Sequence, residues 1–580
     1  MPRAGSLERG RVLLLLSLRR KARAVASMTL LGVMSFAAAG RILAFTTVAA
    51  RHGMVVSGEP LASKAGVEIL KAGGNAVDAA VAVGFALAVT HPFAGNLGGG
   101  GFMLIRLANG RSTFIDYREE APGAATPTMY LDARGNIVPG LSTVGALSVG
   151  VPGTVAGFAL AERKYGRLGL KRVMQPAIRL AQKGFPVSYW LSQSLKSHAP
   201  LLSKFSESRR IYLRDGDFYR PGEIFRQPEL AKTLRRIAEQ GPKAFYRGPI
   251  ARDIVATMEK YHGIITRKDL AKYRAIERKP LRGKFRGYDI LTAPSPSSGG
   301  VVLIEMLNIL APLDLGPPNS YRSIHLIAEA MRRAYADRAA YLGDADFVSV
   351  PIAGLTSPAY AAKLRREILR SPPDAPIKAG NPLPFEGPNT THISVVDSAG
   401  NAVSNTYTLN NGYGSGVTAA RAGFLLNDEM DDFTSKPGAP NMYGLIQSQA
   451  NAIAPGKRPL SAMTPTMATR HGKLRLVLGS PGGATIINTV LEVLLNVLVY
   501  KMDIRQAVTA PRFHDQWMPD KLYMERWGFS GDTISRLKAA GYRIVFRAAM
   551  GQCEAIEVDP KTGWRFGAAD PRSNGKAEGY

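Results

Sequence analysis

Apolar residues recur every three to four positions across residues 60–71, and Gly73 and Gly74 follow, so the spacing predicts a helix with a glycine stop. Asn75, with Asp78 three positions on, is an N-cap arrangement that starts a second helix. Residues 76–90 read as a buried, alanine-rich core helix, because they carry Asp78 and are too few to span a bilayer. Asn96-Leu97 and the glycines 98–101 then lead into residues 102–107, a strand entered through a glycine loop. Phosphate-binding loops run from a strand into a helix, whereas this one runs into a strand, so close backbone packing is expected here. Helical spacing dominates residues 155–275, for example from Leu160 through Leu180, and returns over 325–341. His325 and Glu329 lie one turn apart, but no second histidine or HExxH pattern joins them, which points to a structural pair and to no catalytic metal.

The periodicity changes near residue 390. Pro372, Pro373, Pro376, Pro382, Pro384, Gly387, Pro388 and Asn389 read as an exposed loop. Residues 392–396 and 402–408 then alternate as two strands joined across the turn-forming residues 397–401. A loop that feeds a strand beginning Thr390-Thr391 is the organisational oddity of the chain. Further on, Gly482 and Gly483 precede a helix-like run over 486–498, which places backbone N–H groups near a helix start.

With 580 residues, 46% hydrophobic and 21% charged, the chain is globular by composition, and no linker divides it, so one or two packed units are expected. The formal charge of +29 would draw it towards anionic surfaces. Over residues 1–44, Arg3, Arg9, Arg11, Arg19, Arg20, Lys21, Arg23 and Arg41 against Glu8 carry +7 of that and leave +22 for the rest. Those charges are scattered and lack any nucleic-acid-binding pattern, which argues against specific nucleic-acid recognition. The basic residues 19–23, an apolar stretch over 28–36 and Ala37-Ala38-Ala39 read as a secretory signal peptide over 1–39, with general export as the default route, a twin-arginine route hinted by Ser17-Leu18-Arg19-Arg20 as the alternative, and no membrane span after cleavage. Cys553 is the sole cysteine, so core burial rather than an intrachain disulfide must hold the fold.

The span from Thr390-Thr391-His392-Ile393-Ser394 through Gly400-Asn401-Ala402-Val403-Ser404-Asn405-Thr406-Tyr407-Thr408-Leu409-Asn410 to Tyr413-Gly414 resembles the signature of the gamma-glutamyltransferases, a family of N-terminal nucleophile hydrolases. Asp116-Tyr117-Arg118-Glu119, Met430-Asp431-Asp432-Phe433, Lys457-Arg458-Pro459-Leu460-Ser461 and Gly479-Ser480-Pro481-Gly482-Gly483 extend the likeness over nearly the whole mature chain. The resemblance implies an α+β fold, a four-layer αββα sandwich. It implies self-cleavage between Asn389 and Thr390 into a large subunit, 40–389, and a small subunit, 390–580, that share one core as a heterodimer. Thr390 would then be the nucleophile, with its own α-amine as base: such an amine has an ordinary pKa of roughly 7.7 to 8 and is partly neutral near physiological pH.

By the same resemblance, Thr408 orients Thr390, and Arg118 with Ser461 holds the substrate's α-carboxylate. Asn410, Glu429 and Asp432 take the α-ammonium, Gly482 and Gly483 supply the oxyanion hole, and Tyr443 latches a lid loop over 437–443. The implied substrates are γ-glutamyl compounds such as glutathione, with water, amino acids or dipeptides as acceptors, in the periplasm or secreted, without a cofactor. One departure is Ala462, where the family usually has a second serine; a lost hydrogen bond there costs about 0.5 to 1.5 kcal/mol of binding. That keeps an amidase acting on cephalosporin or glutaryl side chains as the alternative, with a non-catalytic exported binding protein as another.

Overall fold

Two seven-stranded sheets carry the fold in the computed structural model, which describes residues 47–370, 372, 377 and 390–580. The expected leader, Asn389 and, apart from Pro372 and Ile377, the proline-rich stretch before it lie outside the described residues. The first sheet runs, edge to edge, Lys576–Gly579, Met54–Ser57, Thr391–Val396, Ala402–Thr408, Gly100–Arg106, Ser112–Tyr117 and Ile276–Arg278. The second runs Val48–Ala50, Arg565–Ala568, Glu554–Val558, Lys473–Gly479, Thr466–Arg470, Tyr288–Thr292 and Leu281–Phe285. Neighbouring strands are antiparallel throughout both. Each sheet takes strands from both sides of residue 390.

Successive side chains point to opposite faces of a strand, and the first sheet uses both faces. Val55, Met103, Ile105, Ile393, Val395 and Val403 pack into one apolar core with the helices Pro60–Lys71 and Ala76–Thr90. Met54, Val56, Phe102, Leu104 and Ala402 point the other way, into a core shared with Leu291, Met467, Val477 and Ile556 of the second sheet. The second sheet's remaining face, with Ile290, Ala468, Leu476 and Ala555, packs with the helices Gly299–Leu310, Tyr321–Tyr341 and Ile486–Leu498. Covering on both faces explains why Thr391–Val396 and Ala402–Thr408 are buried along their whole length.

Local signals held where the expected partner was close in sequence. Asn75 and Asp78 form the capping box of Ala76–Thr90, and Asp78 also accepts from the backbone N–H groups of Arg167 and Leu168. The helical spacing read from Leu160 through Leu180 is carried by three helices, Thr154–Tyr165, Leu170–Val173 and Gln175–Lys183. Gly166 caps the first, and Gly169, at φ +78°, turns the chain before the second. His325 bonds the Tyr542 hydroxyl while Glu329 pairs with Arg332 and Arg333, a structural arrangement. No helix among the described residues is long and apolar enough to cross a membrane.

The glycine loop is where two strands press together. A Cβ on Gly99 would stand 2.0 Å from the carbonyl oxygen of Thr408, and one on Gly101 would stand 2.4 Å from that of Thr406. Backbone cannot yield as a flexible side chain does, so Gly99→Ala should lower stability by about 1 to 3 kcal/mol. Exposed Gly354, with nothing within 4 Å of its Cβ position, is the control, and Gly354→Ala should stay within about 0.5 kcal/mol. Thermal unfolding of both variants checks this; equal melting temperatures would contradict it.

Candidate active site

Thr391 pairs with Tyr407 in the hairpin register, so Thr390 sits at the hairpin's open end beside Thr408. The Thr390 hydroxyl donates towards Thr408 Oγ1 at 3.4 Å, and Thr408 Oγ1 accepts from the Asn410 N–H at 2.8 Å. Asn410 holds φ +77°, the left-handed region that asparagine tolerates better than most residues. This turn aims the chain from the hairpin into the charged part of the site.

Arg118 follows the strand Ser112–Tyr117 and is wholly buried. Its guanidinium donates through Nη1 to Glu429 Oε1, through Nη2 to Asp432 Oδ2 at 2.5 Å, and through Nε to the Pro459 carbonyl at 3.2 Å. Glu429–Asp432 is a single 3₁₀ turn, in which positions i and i+3 eclipse, so both carboxylates reach the same guanidinium. Asn441 Nδ2 donates to the other Asp432 oxygen at 3.0 Å. Ser461 is fixed through its backbone: its carbonyl accepts from the Ser298 N–H at 2.8 Å and hydroxyl at 2.6 Å. The Tyr443 hydroxyl donates to the Asn410 carbonyl at 2.8 Å, and the Tyr443 ring lies against Gly483, where a Cβ would be 2.6 Å from Cδ1. The loop bearing Tyr443 is tied down by Asp431, which accepts from Met442 N–H at 2.9 Å and from the Ser142 hydroxyl at 2.7 Å.

Nine of the residues singled out from the sequence thus line one cavity: Thr390, Thr408, Arg118, Asn410, Glu429, Asp432, Ser461, Tyr443 and Gly483. Gly482 does not line it; at φ +138° it stands one residue back, beside Thr485 and Gly551. The cavity measures about 20 Å³ and also meets Ala462, Leu445, Met463 and Ile486. Among the described residues, no group of three or more His, Cys, Asp or Glu side chains could hold a metal ion.

The site concentrates buried charge. Burial disfavours the Arg118 cation, but Glu429, Asp432 and Glu119 outweigh it and hold the guanidinium above its usual range. Burial pushes Glu429 well up, with Arg118 opposing. Burial likewise raises Asp431 to about 6, against the Met442 N–H and the Ser142 hydroxyl. Sequence reasoning assigned no role to Glu119, whose Oε2 lies 3.6 Å from Arg118 Nη1. Neither Glu119 oxygen has a hydrogen-bond partner among the described residues, and burial raises its pKa to about 7 against the pull of Arg118. Its place next to Arg118 was visible in the sequence; its complete burial was not.

Comparison with known proteins follows the same lines. The gamma-glutamyltranspeptidase family profile matches residues 62–580. The glutathione hydrolase proenzyme of Escherichia coli is 49% identical over 534 residues, covering 91% of this chain and 92% of that protein. The crystal structure of cephalosporin acylase from Bacillus halodurans superposes with a TM-score of 0.83 at 29% identity, covering 92% of this chain and 97% of that one. A chain of the Helicobacter pylori gamma-glutamyltranspeptidase structure, 48% identical, covers 53% of this chain and 90% of its own length with a TM-score of 0.52.

A carboxyl whose pKa is raised by folding binds its proton more tightly in the folded chain, so Glu119 costs stability increasingly as pH climbs from about 4.5 to about 7. Glu119→Gln keeps the shape and removes that titration. The melting temperature of Glu119→Gln relative to the native chain should therefore rise across this pH window and level off above it. A difference that is flat or falls with pH would contradict the assignment.

Proposed function

The chain belongs to the gamma-glutamyltranspeptidase family, and from that premise we propose how its residues divide the work of a self-processing γ-glutamyltransferase and glutathione hydrolase. The observation that carries the reading is the single cavity joining Thr390 and Thr408 to Arg118, Glu429 and Asp432.

In self-processing, the Thr390 hydroxyl adds to the carbonyl carbon of Asn389, the peptide C–N bond gives way to an ester, and water hydrolyses that ester. Thr390 then begins a new chain with a free α-amine. Thr408, within reach of the Thr390 hydroxyl, orients it for both reactions. The resulting pieces, 40–389 and 390–580, stay together, because each sheet is built of strands from both and neither piece completes a sheet alone. The layering that suits this packing is αββα, helices outside and the two sheets face to face across a common core. A signal peptide over 1–39 would deliver the precursor outside the cytoplasm.

In turnover, the α-amine accepts the hydroxyl proton as Thr390 attacks the γ-carbonyl of the substrate. Backbone N–H groups of Gly482 and Gly483 stabilise the oxyanion; loss of one such donor commonly costs about a hundredfold in rate. The protonated amine then serves the departing nitrogen, leaving a γ-glutamyl ester on Thr390. Water or an acceptor amine resolves it.

The charges argue for a γ-glutamyl donor over a glutaryl one. Arg118 is paired with Glu429 and Asp432. A zwitterionic head inserts between them without net change: its carboxylate takes the guanidinium, and its ammonium takes the two acids. A glutaryl group brings only the carboxylate and would leave buried acids without their cation, which costs several kcal/mol. The cavity of about 20 Å³ is smaller than a γ-glutamyl group, so the 437–443 loop with its Tyr443 latch must swing aside to admit one.

Two measurements test this. Thr390→Ala should remain a single full-length chain with no amidase activity, while the native protein separates into two pieces; two pieces from the variant would remove Thr390 from both roles. Native protein should release the coloured amine from a γ-glutamyl anilide at least about tenfold faster, per unit kcat/KM, than from the glutaryl anilide. The reverse preference would transfer the protein to the acylase reading, with Ala462 its first suspect.

A further inference from the structure

Two buried side chains of the helix Tyr321–Tyr341, Tyr335 and Arg338, reach the main chain of the cavity's walls without lining the cavity themselves. They stand three positions apart and so share one helix face. The Tyr335 hydroxyl donates to the carbonyl of Ala484, in the single 3₁₀ turn Gly483–Thr485. Thr485 holds the start of the same turn: its N–H and hydroxyl both donate to the Gly482 carbonyl, at 3.0 and 2.8 Å. The segment that carries Gly482 and Gly483 is thus pinned at two consecutive points, one of them by Tyr335.

Arg338 reaches Ser461 in two steps. Its Nε donates to the Ser298 hydroxyl at 2.9 Å, and that hydroxyl donates to the Ser461 carbonyl at 2.6 Å, beside the Ser298 N–H at 2.8 Å. The Ser461 hydroxyl in turn accepts from the Met463 N–H at 3.1 Å, which leaves its own proton to donate to a ligand. A neutral donor would suffice to hold a hydroxyl, yet the fold buries a guanidinium here. Arg338 is 2% exposed, forms no ion pair among the described residues, and has no hydrogen-bond partner there for Nη1. Burial lowers its pKa from the usual range, with Tyr335 and then Asp432 opposing. What the charge contributes is a charge-assisted bond to Ser298, stronger than a neutral one, which keeps the Ser298 proton on the Ser461 carbonyl.

We propose that Tyr335 and Arg338 are positioning residues that divide the donor site between them. Tyr335 sets the turn that presents the Gly482 and Gly483 N–H groups to the oxyanion, and Arg338, acting through Ser298, sets Ser461 against the donor's α-carboxylate. The proposal rests on the roles given above to Gly482, Gly483 and Ser461. The helix face is then a brace: it fixes the separation between the place of the reacting γ-carbonyl and the place of the charged head of one substrate.

The two roles separate in the hydrolysis of a γ-glutamyl anilide by self-processed protein. An interaction made only in the transition state lowers kcat and leaves KM, whereas one made equally with the bound donor raises KM and leaves kcat. Tyr335→Phe should lower kcat at least about fivefold, with KM within about twofold of native. Ser298→Ala and Arg338→Met should each raise KM at least about fivefold, with kcat within about twofold. The double variant should be no worse than the more affected single one, because both substitutions break one link. Ser298→Ala keeps the guanidinium in place and so reads that link even where Arg338→Met fails to fold. An unchanged KM in Ser298→Ala overturns the role of Arg338, and an unchanged kcat in Tyr335→Phe overturns that of Tyr335. Variants that melt earlier yet keep native kcat and KM assign both side chains to stability alone. Native protein that releases no anilide would instead overturn the roles of Gly482, Gly483 and Ser461 beneath the proposal.

Discussion

The buried guanidinium of Arg118 is the constraint around which the site is organised. An isolated cation there would be expelled or neutralised, so the fold must bring carboxylates to it, and those carboxylates are equally unstable alone. Glu429 and Asp432 answer that need from one 3₁₀ turn, while the Glu119 carboxyl stands close by without a hydrogen-bond partner among the described residues. The pairing joins the strand Ser112–Tyr117 to a loop more than 300 residues later. A set of charges satisfied mainly by one another is primed to admit a ligand that carries both signs.

The same long-range joining governs the sheets. Thr391–Val396 and Ala402–Thr408 lie in the middle of the first sheet, flanked by strands from the other side of residue 390. A central strand can begin at a free amino terminus without losing its pairing, because its hydrogen bonds run to neighbours rather than along the chain. Cutting before Thr390 would therefore change one terminus and leave both ladders intact. Gly99 and Gly101 serve this arrangement from the next strand, since only a residue without Cβ lets Gly100–Arg106 approach the strand that ends at Thr408.

What could be read from the sequence follows the range of the interaction. The Asn75–Asp78 capping box, the hairpin across residues 397–401 and the helix from Ile486 were legible because their partners lie within a few residues. The helical spacing from Leu160 to Leu180 was legible too, but not its division into three helices, because apolar spacing continues through Gly166 and Gly169, where the backbone leaves the helix. The union of Arg118 with Glu429 and Asp432 was expected only through family resemblance; no local pattern links positions so far apart. Glu119 stood in a family-like stretch but had no role assigned, since burial of a carboxylate beside its own neighbour leaves no periodic trace.

The scaffold shared with a cephalosporin acylase shows that this architecture does not by itself choose the acyl group. In the proposed reading, choice falls to the few side chains of this cavity that would face the acyl chain, and they are unequal in consequence. Ala462 removes at most one hydrogen bond to a carboxylate, an effect on the order of 1 kcal/mol. Glu429 and Asp432 place two acids opposite one guanidinium in a buried cavity, where leaving an acid without a cation costs several times as much. On that proposal the stronger of these two effects favours a head group with an ammonium, so Ala462 would loosen the hold on a γ-glutamyl donor without turning the site towards a glutaryl one.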